Sequence, residues 1–298
     1  MADLVAPGAF LSPLVIQEAV KRALDEDLGR AGDVTSSATL PEGIQAKAKL
    51  VARKAGTIAG LPCAARAFRS LAPSIKFDAK ACDGDAVKAN TTLAIIEGPA
   101  IAILSGERVA LNFLGHLSGV ATLTAAYAAK IAHTKAKITD TRKTTPGLRA
   151  LEKYAVRCGG GVNHRFGLDD AVLIKDNHVA AAGGVAAAIR AARAGVGHLV
   201  KIEVEIDRLD QLDEALAEKA DAVLLDNMGP EMLAEAVRRI GGRAIAEASG
   251  RITPATAPAI AASGVDLISA GWLTHSAQVL DIGLDWRQAS TGIERSAA

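Results

Sequence analysis

Aromatic residues make up only 3% of the 298-residue sequence, so its core must be built mostly from Ala, Val, Leu and Ile. Cysteine is almost as scarce. Cys63, Cys82 and Cys158 are scattered, with no CxxC pair and no metal-ligand spacing, which argues against a disulfide framework or a zinc site. Nothing beside them resembles the setting of a nucleophilic cysteine. Charge of one sign is not in excess: 34 Lys and Arg face 33 Asp and Glu, a net charge of +1. A general nucleic-acid binder would carry a basic surplus. Walker A and GxGxxG patterns are missing. No run approaches the ~20 apolar residues of a membrane span, and Asp3 and Pro13 interrupt the start before any secretory core could form. The expectation is a soluble, cytoplasmic protein with neither nucleic acid nor membrane as partner.

What is present begins with length, enough for one large or two moderate domains. Apolar residues reach 50%, and 28 glycines suit many short turns. Pro13–Leu28 reads as an amphipathic helix with Ser12 as cap, Pro13 in its first turn, and Leu14, Val20, Leu24 and Leu28 near helical spacing. Glu26, Asp27 and Asp33 follow in EDLGRAGDVTS, whose spacing fits a structured loop rather than a calcium loop. From Ala46 to Ile103 the sequence shows short β runs and suggests a small antiparallel sheet. DGDAVKANTTLAIIEGPA resembles part of a biotinyl/lipoyl-type sandwich, yet no lysine stands at a hairpin tip, so it reads as scaffold. A long helix is expected over Gly106–Ala132. It would place Arg108 in its first turn, where the helix dipole disfavours a cation, and His116 in a core or interface.

After Lys137 strand and helix patterns alternate, with strand candidates KITDT, AVLIKDN, LVKIEVEI, AVLLDN, RAIAEAS and DLISAG. Helical stretches join them around Leu148–Val156, Val179–Ala194, Leu209–Glu218, Pro230–Ile240 and Thr253–Ala262. Strands that are apolar almost throughout suit a parallel sheet buried on both faces. Chemically capable residues stand at every strand end, a pattern that favours a barrel over an open sheet with one switch point. Six or seven strands can be counted. The early ends are cationic (Arg142, Lys143, His164, Arg165, Lys175), and the glycine triplet Gly159–Gly161 precedes His164. Later ends are acidic (Glu205, Asp226), and the last carry small residues and glycines (Ser249, Gly250, Ser269, Gly271). Guanidinium forks suit carboxylates and glycine turns suit phosphate, so the pattern points to a small polycarboxylate beside a phosphorylated sugar. Plainer readings stand alongside. Glu203 and Glu205 could form structural ion pairs, Asp226 could cap a turn, and Arg149, Lys153 and Arg157 fall at the spacing of a solvated helix face.

Taken together, EDLGRAGDVTS, ERVALNFLGHLSGVAT, DTRKTTPGLRALEKYAVRCGGGVNHRFGLDD, LIKDNH, IEVEI, LLDNM, EASGRI and ISAGWLTHS resemble the quinolinate phosphoribosyltransferase family over almost the whole chain. The resemblance implies an N-terminal α/β sandwich domain (1–115) and a TIM-like parallel α/β barrel with fewer than eight strands (116–277); the tail (278–298) fades into polar residues and either returns to the first domain or stands apart from it. It implies phosphoribosyl transfer from phosphoribosyl pyrophosphate to quinolinate with decarboxylation. On this resemblance Arg108, Arg142, His164, Arg165 and Lys175 would bind quinolinate, Arg108 reaching in from the other subunit of a homodimer or larger homo-oligomer. Lys143, Glu205 and Asp226 would be catalytic, and with Glu247, Ser249, Gly250, Ser269 and Gly271 would bind phosphoribosyl pyrophosphate. Glu205 and Asp226 would hold Mg²⁺ through the substrate. The rival readings are a barrel relative with another substrate and a non-catalytic metabolite-binding protein. Neither explains the density of cations together with intact Glu205 and Asp226.

Overall fold

A computed structural model describes residues 11–288. Asp3 and the end of the tail, residues 289–298, lie outside the described residues. The chain forms two compact units. The first gathers the described residues up to Thr122, Ala150–Gly159 and those from Ala277 on; the second comprises Leu123–Arg149 and Gly160–Ser276.

The first unit opens with helices α1 (Pro13–Leu28) and α2 (Val34–Thr39), followed by strands β1 (Gln45–Ala52) and β2 (Gly56–Thr57), helix α3 (Leu61–Leu71), strands β3 (Lys76–Ala79), β4 (Ala86–Val87) and β5 (Thr92–Pro99), and helix α4 (Ala100–Ile131). Ser12 caps α1 through the Leu14 N–H at 3.3 Å, and Ile16, Val20 and Leu24 form its buried stripe. Leu14, expected on that stripe, is 75% exposed. Asp33 caps α2 by accepting from Ser36 N at 2.9 Å and takes the Ser105 hydroxyl at 2.9 Å, which accounts for its place in the polar loop. In β1 the alternation is regular: Ala46, Ala48 and Leu50 face the core, while Lys47 faces outward and pairs with Glu97 in register on β5. The sheet order places the C-terminal strand Ile282–Gln288 beside β1, then β5 and β3, all antiparallel. Gly115 and Gly119 let that returning segment close on α4. A Cβ at Gly115 would lie 2.9 Å from Val279, and one at Gly119 would collide with the Gln278 carbonyl.

Two expectations for this region are corrected. The stretch 46–103 is not all β, because LPCAARAFRSL forms α3; its alanines and the proline in its first turn carry the helical signal. Helix α4 starts at Ala100, so Arg108 lies in its third turn and not at the dipole's positive end. By length and composition this 32-residue helix could cross a bilayer, contrary to the reading that no stretch approaches a span, but 67% of its most apolar window is buried inside the protein. It is a core helix.

Helix α3 begins on a built acceptor. Gly60, at φ +103°, and Leu61 donate their N–H groups to the Asp83 carboxylate at 2.8 and 3.0 Å. The Tyr154 hydroxyl donates to the same carboxylate at 2.9 Å. Tyr154 lies on helix α5 (Arg149–Cys158), most of which belongs to this unit. The spacing of Arg149, Lys153 and Arg157 suggested a solvated face on α5, but Lys153 is fully buried. His116 Nε2 lies 2.8 Å from the buried Glu152 on the same helix.

The second unit is a parallel barrel. Its strands are β6 (Lys137–Thr139), β7 (Val172–Ile174), β8 (Ile202–Ile206), β9 (Ala222–Asp226), β10 (Ile245–Ser249) and β11 (Leu267–Ser269). They run in the order β6-β11-β10-β9-β8-β7, a six-stranded barrel-like sheet. At the β6 edge an isolated parallel bridge joins Thr139 to Val162, which lies outside the named strands. The connecting helices are α6 (Asp176–Ala182), α7 (Val185–Gly195), α8 (Leu209–Ala217), α9 (Pro230–Ile240), α10 (Ala257–Ala262) and the short α11 (Trp272–His275). The single helix expected over Val179–Ala194 is two, because Gly183 and Gly184 take φ values of +84° and +134°. Helix α10 begins at Ala257 rather than Thr253.

Burial pushes the Asp83 carboxyl up to about 6, against the lowering effect of its three donors. Its contribution to stability is therefore full below the ordinary aspartate value of about 3.9 and is lost as pH rises through about 6. Substituting Asp83→Ala removes that dependence but strands three donors, two of them backbone N–H groups at the start of α3. Urea unfolding should show a loss of about 3 kcal/mol or more, with a smaller loss for Asp83→Asn. Equal stability of Asp83→Ala and wild type would show that this cap does not hold α3.

Candidate active site

Along a strand, residues two apart share a face. In the barrel this rule aims pairs of side chains at one cavity of about 410 Å³ at the carboxyl ends of the strands: Leu173 with Lys175, Leu224 with Asp226, and Glu247 with Ser249. Glu205 lines it from β8 and Ser269 from β11, while Thr141, Arg142 and Lys143 follow β6. His164 and Arg165 enter from the loop after the glycine triplet. Register agrees, since Leu224 lies beside both Glu205 and Glu247 and Ser249 lies beside Asp226.

The loop carrying His164 is tied down by Asp140, a fully buried carboxylate just after β6. Asp140 accepts from Asn163 Nδ2 at 2.6 Å and from the His164 N–H at 3.0 Å. The His164 ring is engaged on both sides. Its Nε2 is 2.8 Å from Glu203 Oε2, and its Nδ1 receives the Arg165 N–H at 2.8 Å. Arg165 is anchored by Nη1 donating to the Ala171 carbonyl at 2.9 Å. Burial and the nearby Arg142 charge lower the Arg165 guanidinium from its usual value. Arg142 Nε and Arg165 Nε are buried without a hydrogen-bond partner among the described residues. Two crowded guanidiniums with unused donors make a site for a planar anion. Lys175 completes the cationic side, its Nζ 3.1 Å from Glu205.

A second cavity of about 300 Å³ adjoins the first and shares Thr141, Lys143, Asp226, Ser249 and Ser269 with it. Thr274 Oγ1 donates to the Lys143 carbonyl at 2.6 Å, and Lys143 N–H donates to Thr141 Oγ1 at 3.0 Å, which fixes the lysine backbone where the cavities meet. Gly250 has φ +110°, and a Cβ there would lie 2.9 Å from Asn227 Cα. A Cβ on Gly271 would crowd Lys143 Cδ at 3.0 Å. These glycines leave backbone open to a ligand, as phosphate cradles require. Asn227 itself takes φ +54° and donates to Asp226 Oδ2 at 2.5 Å, so Asp226 does partner the following turn.

All the candidate residues of the barrel unit line one or both cavities: Arg142, Lys143, His164, Arg165, Lys175, Glu205, Asp226, Glu247, Ser249, Gly250, Ser269 and Gly271. Arg108, in the first unit, is an exposed residue of α4 and lines neither. Sequence reasoning counted Thr141 and Asn227 only among the polar strand ends and gave no role to Arg251, Trp272 or His275; all five line the second cavity. The available signal for Asn227, Arg251, Trp272 and His275 was their place inside the matching stretches LLDNM, EASGRI and ISAGWLTHS. Glu203, weighed as a structural ion-pair partner, sits beneath His164 in that role.

The described pattern of the Quinolinate phosphoribosyl transferase N-terminal domain matches residues 33–118, and that of the C-terminal domain matches residues 120–285. A probable nicotinate-nucleotide pyrophosphorylase (carboxylating) of Synechocystis is 44% identical over 286 residues, covering 92% of this chain and 96% of its own. A probable enzyme of the same name from Bacillus subtilis is 44% identical over 269 residues, covering 90% and 92%. The solved nicotinate-nucleotide pyrophosphorylase from Francisella tularensis superposes with a TM-score of 0.90 at 38% identity, covering 94% of this chain and 98% of its own.

Trp272 stacks on His275 with ring centroids 5.3 Å apart, on the wall of the second cavity. In a Trp286→Phe background its fluorescence should respond to added inorganic pyrophosphate. Gly250→Ala, strained at its φ and crowded by Asn227, should raise the half-saturating concentration at least about tenfold, the equivalent of roughly 1.4 kcal/mol. An unchanged titration curve would remove Gly250 from the anion cradle.

Proposed function

Because the chain belongs to the quinolinate phosphoribosyltransferase family, we propose that it makes nicotinate mononucleotide for NAD biosynthesis. Phosphoribose passes from phosphoribosyl pyrophosphate to the ring nitrogen of quinolinate, with release of pyrophosphate and CO₂. The observation that carries the assignment to this site is the pair of adjoining cavities, one cationic and one glycine-walled, joined at Lys143 and Asp226.

Arg142, Arg165 and Lys175 suit the two adjacent carboxylates of quinolinate, and the unpartnered Nε donors of both arginines support this placement. His164 stands at the base of that clamp. The Ser249, Gly250, Ser269 and Gly271 turns suit the 5′-phosphate, and Lys143 suits the departing pyrophosphate. Glu205 and Asp226, on adjacent strands facing the same cavity, suit the ribose hydroxyls and a Mg²⁺ held through the substrate. When bound, the ion would neutralise charge on the leaving pyrophosphate.

The pyridine nitrogen already holds its lone pair, so the transfer needs no general base. As the C1′–O bond to pyrophosphate breaks and the C1′–N bond forms, positive charge develops on the ribose. Glu205 and Asp226 are the carboxylates placed to stabilise it. Ribosylation leaves the ring nitrogen cationic. The electron pair of the breaking C–CO₂ bond then stays on the ring carbon beside that charge, and the carbon gains a proton. The chain's own contribution is orientation and charge placement.

Arg108 completes the clamp from a neighbouring subunit in this reading, which calls for at least a homodimer; its exposure on α4 supports such a role. The buried free thiols of Cys63 and Cys158 suit a reducing compartment and support a cytoplasmic location.

Purified protein given quinolinate, phosphoribosyl pyrophosphate and Mg²⁺ should form nicotinate mononucleotide and CO₂, with kcat/KM at least about a hundredfold above that for nicotinate, or about 2.7 kcal/mol. No product, or equal turnover of nicotinate, would overturn the assignment. Mixing Arg108→Ala with Lys143→Ala protein under conditions of subunit exchange should restore part of the activity. Exchange without recovery would argue against a site shared between subunits.

A further inference from the structure

We propose that His164 serves the acceptor cavity as a positioning residue, locked as the Nε2–H tautomer between Glu203 and the Arg165 backbone, offering no ring nitrogen to substrate or metal. The inference deepens the proposed function by changing the part played by one residue of the clamp.

The argument starts from donors and acceptors. A backbone N–H can only donate. The Arg165 N–H lies 2.8 Å from His164 Nδ1, so Nδ1 must be the acceptor and carries no proton. The remaining ring proton is then on Nε2, which donates to Glu203 Oε2 at 2.8 Å. Both nitrogens are satisfied within the protein, and the ring is neutral. A carboxylate at this end of the cavity meets Arg142, Arg165 and Lys175 but finds no hydrogen-bond donor on the imidazole.

Glu247 sets the other side of the ring. Its Oε1 is 3.7 Å from His164 Nε2, beyond hydrogen-bond reach, and has no partner among the described residues. Glu247 is 1% exposed. Burial first, and then the charge of Glu203, push its carboxyl well above the ordinary range. A neutral acid beside a neutral imidazole needs no further counter-ion. The carboxylate of Glu203 therefore accepts the hydrogen bond from Nε2–H, with Glu247 Oε1 3.7 Å from the same nitrogen.

The same three residues could be mistaken for a metal centre, since one ligand atom from each falls within a 4.8 Å cluster. The hydrogen bonding opposes it. With Nδ1 already accepting from Arg165, metal at Nε2 would require either an imidazolate or the loss of the backbone hydrogen bond that sets Arg165. Locking the ring has a direct consequence for the site. Arg165 is held by its N–H on His164 and by its guanidinium on the Ala171 carbonyl, so its fork is presented without a search through rotamers.

The test is imidazole ¹⁵N NMR on full-length, histidine-labelled protein, with the His164 signal among the six assigned by comparison with His164→Gln. The expected spectrum shows protonated Nε2 and unprotonated Nδ1 at neutral pH, unchanged by quinolinate and by stoichiometric Zn²⁺ or Mn²⁺. An imidazolium, an Nδ1–H tautomer, or a metal-dependent shift of this signal would overturn the inference. None of these readouts depends on turnover, so they stand apart from the assay of the function. Kinetics provide the second arm. Glu203→Gln keeps an acceptor for Nε2–H and should hold both the tautomer and the quinolinate KM to within about threefold. Glu203→Ala should unlock the tautomer and raise KM at least about tenfold, the scale of a buried donor left unsatisfied. A Glu203→Ala protein with wild-type KM, or a Glu203→Gln protein as impaired as Glu203→Ala, would also overturn it.

Discussion

The two-residue alternation of short parallel strands is the constraint from which the site follows. Strands β8, β9 and β10 have five residues each. On so short a strand, an inward residue at the last or next-to-last position stands at the barrel mouth, and the one two places earlier stands beneath it. Glu205 over Glu203, Asp226 over Leu224, and Ser249 over Glu247 are three instances of this rule. A one-residue slip in register would turn every one of these side chains outward. The regular pairing of β8, β9 and β10 therefore supports both the fold and the chemistry.

That geometry stacks charge in layers. Below lie carboxyl groups at or near full burial, Asp140, Glu203 and Glu247. Above them, at the mouth, lie the guanidiniums of Arg142 and Arg165 and the ammonium of Lys175. A buried carboxylate is costly unless it is hydrogen-bonded. Asp140 is satisfied by Asn163 and the His164 backbone, whereas Glu203 meets the His164 ring through Oε2 and leaves its buried Oε1 without a partner among the described residues. His164 thus separates the two layers: its backbone serves the lower acids, and its ring meets Glu203 on one edge and the Arg165 N–H on the other.

Much of this was legible in the sequence, for identifiable reasons. Helix α1 was readable because its cap and first-turn proline fall beside a regular apolar stripe. The barrel strands were readable because each is a β-branched run ending in polar residues. What stayed hidden depended on tertiary structure. The spacing of Arg149, Lys153 and Arg157 is that of a surface stripe, and only the fold shows Lys153 fully buried. The start of α4 was set late because AIAIL suits strand and helix alike, and that error gave Arg108 a helix-end position it does not have. On the second cavity, Asn227, Arg251, Trp272 and His275 fall within stretches that carry the family resemblance, yet residue type and spacing gave none of them a role of its own; backbone turns with positive φ stand at Asn227, Gly250 and Arg251.

The pairing of Lys175 with Glu205 bears on how the first cavity would receive an anion. The ion pair, 3.1 Å long, lies within the first cavity, which both residues line. Lys175 is half exposed, so the pair is worth little by itself and is readily exchanged. A carboxylate arriving in the clamp competes with Glu205 for the lysine. Arg142 and Arg165, whose Nε donors have no such internal partner, gain from the anion without giving one up. Within that one cavity the two arginines present Nε donors without a partner among the described residues, whereas Lys175 is already paired with Glu205.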